Sequence, residues 1–218
     1  MKTKTANRKK LFISILFLTA FAVWTLLIKT IDLKNVGPQD STVGLATLNM
    51  AFHKLTGANM WIYYLTDWLS IIPICIALCF ASLGLFQLIK RKSLAKVDRS
   101  IIILGIFYIS VISAFLLFEV FPANYRPILI DGRLEASYPS STTLLVGCIM
   151  PTAMMQLNER ISNKAIRTAI NIAIISFTVF MIIGRLISGV HWLTDIIGGA
   201  LLCIGLVMGY WTAVDKEN

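Results

Sequence analysis

Six long apolar stretches divide the chain, at 11–28, 68–89, 100–120, 141–157, 166–187 and 193–213. Each runs for roughly 17–22 residues, the length at which an apolar helix crosses the hydrocarbon core of a bilayer. No cleavage-site pattern follows the first stretch, and its apolar part exceeds that of a signal peptide, so it reads as a retained helix. Between the first two stretches the pattern changes. In VGLATLNMAFHKLTG, Leu45, Leu48, Phe52 and Leu55 recur at helical spacing, while Asn49, His53 and Lys54 fall elsewhere on the wheel. This predicts a short amphipathic helix in the membrane interface, capped by Ser41 or Thr42 and ended by Gly57. Trp61, Tyr63, Tyr64 and Trp68 follow, and such rings settle at headgroup depth. Pro73 and Pro151 predict kinks, and the spacing of Gly205 and Gly209 predicts close helix approach. The expected fold class is all-α: an integral membrane bundle of six transmembrane helices, with a short outward amphipathic helix between the first two. Residues 1–218 form one domain, made of a basic tail (1–10), a first helix (11–28), an outward segment (30–67) and a five-helix region (68–213).

Composition agrees with a lipid solvent. The chain is 57% hydrophobic and only 14% charged, where a soluble domain carries about a quarter charged residues. The net charge of +9 raises the question of nucleic acid, but its distribution answers it. Fourteen of the 20 basic residues fall at 2–10, 90–99, 160–167 and 216, in alternate loops. The positive-inside rule then puts both termini in the cytoplasm, and 29–67, 121–140 and 188–192 outside. The basic balance is a topology signal, unaccompanied by any nucleic-acid-binding pattern. All four cysteines lie within spans, and Cys75 and Cys79 read as small core residues.

Ionisable groups at membrane depth are costly and point to function. The expected outward helix ends collect Glu119, Arg126, Asp131, Arg133 and Glu135 from one segment, and Arg185, His191 and Asp195 from another. A helix starting near His191 stacks Asp195 on the same face at i+4. The carboxylate then accepts from one ring nitrogen and leaves the other as nucleophile or base. The alternative is a capping histidine paired with an aspartate in a polar loop. Arg185 and Arg126 add planar forks that suit a phosphate. The competing role for Arg126 and Arg133 is pairing with Glu119, Asp131 and Glu135. Ser140, Ser141, Thr142 and Thr143 open the fourth stretch, where a helix start offers free N–H groups to an anion.

Gly184-Arg185-LISGV-His191-WLT-Asp195 resembles the third motif of the type 2 phosphatidic acid phosphatase family, Ser-Arg-x5-His-x3-Asp, with only the serine changed. Arg126-Pro127 matches the end of that family's Lys-x6-Arg-Pro motif, with Glu119 in place of the lysine. Pro139-Ser140-Ser141-Thr142 stands for Pro-Ser-Gly-His, with threonine replacing the histidine. The resemblance implies a membrane lipid phosphatase that needs no metal or cofactor. His191 would be the nucleophile that forms a phosphohistidine, and Asp195 its orienting partner. Arg126 and Arg185 would clamp the phosphate, with Ser140, Ser141 and Thr142 supplying donors and Glu119 and Arg133 as auxiliaries. The family's general acid has no counterpart, which favours a substrate with an easy leaving group, a polyisoprenyl diphosphate. Glu119 or His53 is the candidate replacement acid. A lipid-phosphate-binding or scaffold protein of the same fold is the alternative. The expected partners are a membrane lipid phosphate and the bilayer, in the cell membrane, with the site facing outward.

Overall fold

The structure, a computed structural model, describes residues 2–215; Lys216 of the charge count lies outside the described residues, as do the side chains of Lys2 and Lys4. Within them the chain is almost wholly helical: α1 (Lys2–Thr30), α2 (Ala46–Thr56), α3 (Met60–Leu69), α4 (Ile71–Arg91), α5 (Arg99–Val120), α6 (Ser141–Arg160), α7 (Lys164–Ile187) and α8 (Leu193–Asp215). Five segments are long and apolar enough to cross a membrane: Thr5–Thr30, Met60–Arg91, Arg99–Val120, Lys164–Ile187 and Leu193–Asp215. The chain is a multi-pass membrane protein.

The fourth apolar stretch differs from the other five. Its helix, α6, is long enough to span but carries Thr142, Thr143, Thr152 and Gln156, all buried. It packs against α4, α5, α7 and α8, so these polar groups face protein instead of lipid. Thr152 Oγ1, for example, donates to the Cys148 carbonyl at 2.8 Å, closing the hydroxyl on its own helix. α1 lies along α8. A Cβ at Gly205 would sit 2.8 Å from Leu18, so the missing side chain admits α1, and Ser14 Oγ donates to the Gly205 carbonyl at 2.7 Å.

Several sequence expectations change here. α2 starts after Leu45 in a left-handed conformation, not from Ser41 or Thr42, because Thr42–Val43 pairs as a strand with Lys34–Asn35. Gly57 does end the helix, its N–H bonding to the His53 carbonyl. The face of α2 that packs inward carries Asn49 and Ala46, both fully buried, whereas Leu55 is 84% exposed. Cys75 and Cys79 are exposed on α4 and belong to no core. Pro73 lies within the apolar segment Met60–Arg91 and has no N–H to bond back to Leu69, the residue at which α3 ends and gives way to α4. Between α5 and α6 the chain folds back on itself. Bridges join Tyr125 to Ala136 and Ile130 to Arg133, around Asp131 and Gly132, both at positive φ. Asp-Gly is the residue pair that such a two-residue hairpin turn requires.

Candidate active site

His191 lies in the short connection between α7 and α8, one residue before the N-cap position of α8. It is therefore not on the helix, as the i to i+4 spacing had suggested. Asp195 sits in the first turn, and its Oδ2 accepts from the Trp192 N–H at 2.9 Å. This is the return half of a capping box, and it ties the carboxylate to the helix start. The same oxygen is 3.6 Å from His191 Nδ1. A closer partner for Nδ1 is the Ser137 carbonyl at 3.1 Å. A carbonyl only accepts, so Nδ1 carries the proton and Nε2 presents its lone pair.

That lone pair meets Arg126, whose Nη1 lies 3.2 Å from Nε2. Guanidinium only donates, so the same tautomer is required from both sides of the ring. Burial, with the positive charges of Arg126 and Arg185 beside it, holds His191 well below its usual pKa of 6.5. The imidazole is neutral at physiological pH, buried, and aimed through Nε2 at a cation.

Arg126 turns its Nε edge to Glu135 at 2.9 Å, so the pairing weighed against a phosphate role is present. Arg126 and Glu135 also line a cavity of about 220 Å³ with Phe115, Phe118, Glu119, Pro139 and Ser141. Ser140 is the N-cap of α6 and is fully buried; its Oγ accepts from Thr143 N, and its own N–H bonds to the Asp195 carbonyl at 3.2 Å. Its N–H is therefore engaged in joining α6 to α8, while Ser141 faces the cavity. Thr142 is buried. Arg133 is exposed at the hairpin turn and is not brought to His191.

Arg185 is 1% exposed. Its Nη2 reaches Asp67 Oδ1 at 2.9 Å, and its Nη1 donates to the Tyr63 carbonyl and Thr66 Oγ1, each at 3.3 Å. Tyr63 is thus no headgroup aromatic, although Trp61, Tyr64 and Trp68 remain exposed. Asp67 escaped the sequence reading, yet a carboxylate one residue before an apolar span is a signal of the kind that marked the others.

A buried amide network also went unread. Asn49 donates to the Gly44 carbonyl and to Thr194 Oγ1, both at 2.9 Å, and accepts from the Thr194 N–H. Asn124 accepts from the Gly44 N–H at 3.0 Å, and its carbonyl receives the Ser137 N–H. Together they fasten α2, the hairpin and the start of α8. Gly189, at φ 65°, lets the α7–α8 connection run against Gly57, where a Cβ would stand 1.6 Å from the carbonyl. His53 packs edge-on to the Trp192 ring at 5.6 Å, and burial lowers its pKa.

Residues 116–218 match the family model described as PAP2 superfamily. Over these residues, somewhat under half of its length, the chain is similar to the PAP2 superfamily. The matched segment contains His191, Asp195, Arg126, Arg185, Glu119, Arg133 and Ser140 to Thr142, whereas Asn49, Tyr63, Thr66 and Asp67 precede it. The fold is similar to the crystal structure of the first transmembrane PAP2 type phosphatidylglycerolphosphate phosphatase from Bacillus subtilis, with a TM-score of 0.67 and 16% identity over 95% of this chain and 98% of that one. No curated protein matches significantly.

Proposed function

We propose that the protein is a membrane lipid phosphatase working through a phosphohistidine at His191. The observation that carries this is the ring itself: buried, neutral, with Nδ1 engaged by the Ser137 carbonyl and Nε2 opposed to Arg126. A substrate phosphate draws the guanidinium from Nε2 onto its own oxygens. Arg185 holds the same group from the other side. Nε2 then attacks phosphorus, the bond to the leaving oxygen breaks, and that oxygen departs with the electron pair. Asp195, tied to the helix start, stabilises the charge on the phosphorylated ring. Water attacks the phosphohistidine, releasing inorganic phosphate and restoring the neutral imidazole. In this scheme α6 completes six spans, α2 lies in the interface, and the site faces outward with both termini cytoplasmic.

Leaving-group chemistry selects the substrate. An alkoxide leaves with a pKa near ~15 and a phosphate from a diphosphate near ~7, and general acid catalysis is worth roughly 10²–10⁴-fold. With threonine at 142, a polyisoprenyl diphosphate loses least, and its apolar tail suits the Phe115 and Phe118 side of the cavity. Glu119, which lines that cavity, is the candidate auxiliary acid. The Arg126–Glu135 pair favours the second reading, a lipid-phosphate-binding protein without turnover, because it keeps Nε2 covered. Phosphate release by the purified protein from a panel of lipid monophosphates and diphosphates separates these readings. Release fastest from diphosphates is expected; faster release from phosphatidate contradicts the substrate assignment.

A further inference from the structure

We infer that Tyr63 is a positioning residue for the anion site, its ring a common platform for Arg126 and Arg185. The Arg185 Cζ stands 4.7 Å from the ring centroid and the Arg126 Cζ 5.8 Å. Tyr63 comes from α3, outside the segment that holds the histidine, and is 7% exposed. Two guanidinium groups brought together repel, and both charges bear on His191. The negative face of an aromatic ring attracts each of them and is worth most where water is excluded. Asp67 fixes the Nη2 end of Arg185, Thr66 and the Tyr63 carbonyl fix Nη1, and Nε is left buried without a protein partner. That donor and the two cations on one ring form a receptor suited to an anion.

The local sequence allows this approach. Gly184 precedes Arg185, and a Cβ there would stand 2.8 Å from Thr66 Cγ2, so only glycine lets α3 close on α7 at that level. Tyr63 also packs with Ile130 and Val190, linking the platform to the hairpin that carries Arg126 and to the connection that carries His191.

The inference rests on the lipid-phosphatase reading, and binding of inorganic phosphate to the purified full-length protein in detergent micelles tests the two separately. Tyr63→Leu keeps apolar bulk and removes the ring face. We expect it to weaken phosphate binding about tenfold and to raise KM more than it lowers kcat. Tyr63→Phe, which keeps the face, should recover most of the loss. The same ordering is expected in a His191→Ala background, where no turnover occurs, and thermal melting identifies variants that fail to fold. Equal weakening by Leu and Phe, or binding by Tyr63→Leu within about twofold of the parent, overturns the platform while leaving the lipid-phosphatase reading intact. Absence of phosphate binding in the parent protein overturns both.

Discussion

Both ends of the helix bundle bury polar side chains, but they use them differently. At the end away from His191, most of the groups close on one another, with Asn158 Oδ1 on α6 and Asn171 Oδ1 on α7 left buried without a protein partner. Gln156, fully buried, donates to the Tyr210 hydroxyl at 2.6 Å and receives Arg160. Gln87 and Asp98 bond reciprocally, at 2.7 and 2.8 Å, and Arg91 neutralises the carboxylate. At the His191 end, Arg126 meets the imidazole, Arg126 and Arg185 share a single tyrosine ring, and Arg185 keeps an N–H without a partner. Buried polar groups that merely hold helices together pair off, because an unpaired one costs about 1–3 kcal/mol. The His191 end differs in gathering like charge around one ring, a repulsion that a ligand of opposite charge would relieve.

Substitutions sharpen the contrast in order of expected effect. His191→Ala should lower kcat by at least about 10⁴-fold, because no other group supplies the nucleophile. Arg126→Met should lower kcat/KM about 10²-fold, as removal of one donor to a developing charge does, and phosphate release from a lipid diphosphate measures both. Arg126→Met also changes the pH profile. Burial and the two arginines hold His191 below 6.5, so neutral His191 persists into acid and the acidic limb of kcat/KM lies below that value. Removing one of those charges moves the limb upward, and using one substrate for both proteins assigns the displacement to the enzyme. Stability has the matching sign: below 6.5 the unfolded chain takes up a proton that buried His191 refuses, so acid destabilises the fold until the lowered pKa is passed.

Smaller effects follow further from the ring. Asn49→Ala leaves the Thr194 N–H and the Gly44 carbonyl without their partner and loosens the start of α8. Activity should fall about tenfold through misplacement of His191 and Asp195, with a measurable loss of melting temperature. Tyr210→Phe at the opposite end should cost about 1 kcal/mol of stability in thermal denaturation and leave kcat unchanged. A fall in kcat there as large as that of Asn49→Ala would erase the distinction between the two ends.

Much of this was legible in the linear pattern, and what was not has physical causes. Apolar runs report lipid exposure, so the five most apolar helices were plain, while α6 differed because its hydroxyls and Gln156 face neighbouring helices. Amphipathicity gives the axis of a helix but not which side is water: in α2 the polar edge with Asn49 is buried and Leu55 is exposed. His191, Asp195, Arg126 and Arg185 were readable because charge at membrane depth needs a reason. Ser137 was not, since it acts through its carbonyl, which every residue possesses. Tyr63 and Asp67 act across 118 or more residues of chain, a separation that local pattern does not bridge.

The most direct test is chemical trapping. The purified protein is mixed with lipid diphosphate labelled in the terminal phosphate, quenched, and digested for peptide mapping. The account predicts an acid-labile, base-stable phosphoryl group on His191 that is absent from His191→Ala. Steady release of phosphate with no label on His191 at any quench time, or label at another residue, would contradict it.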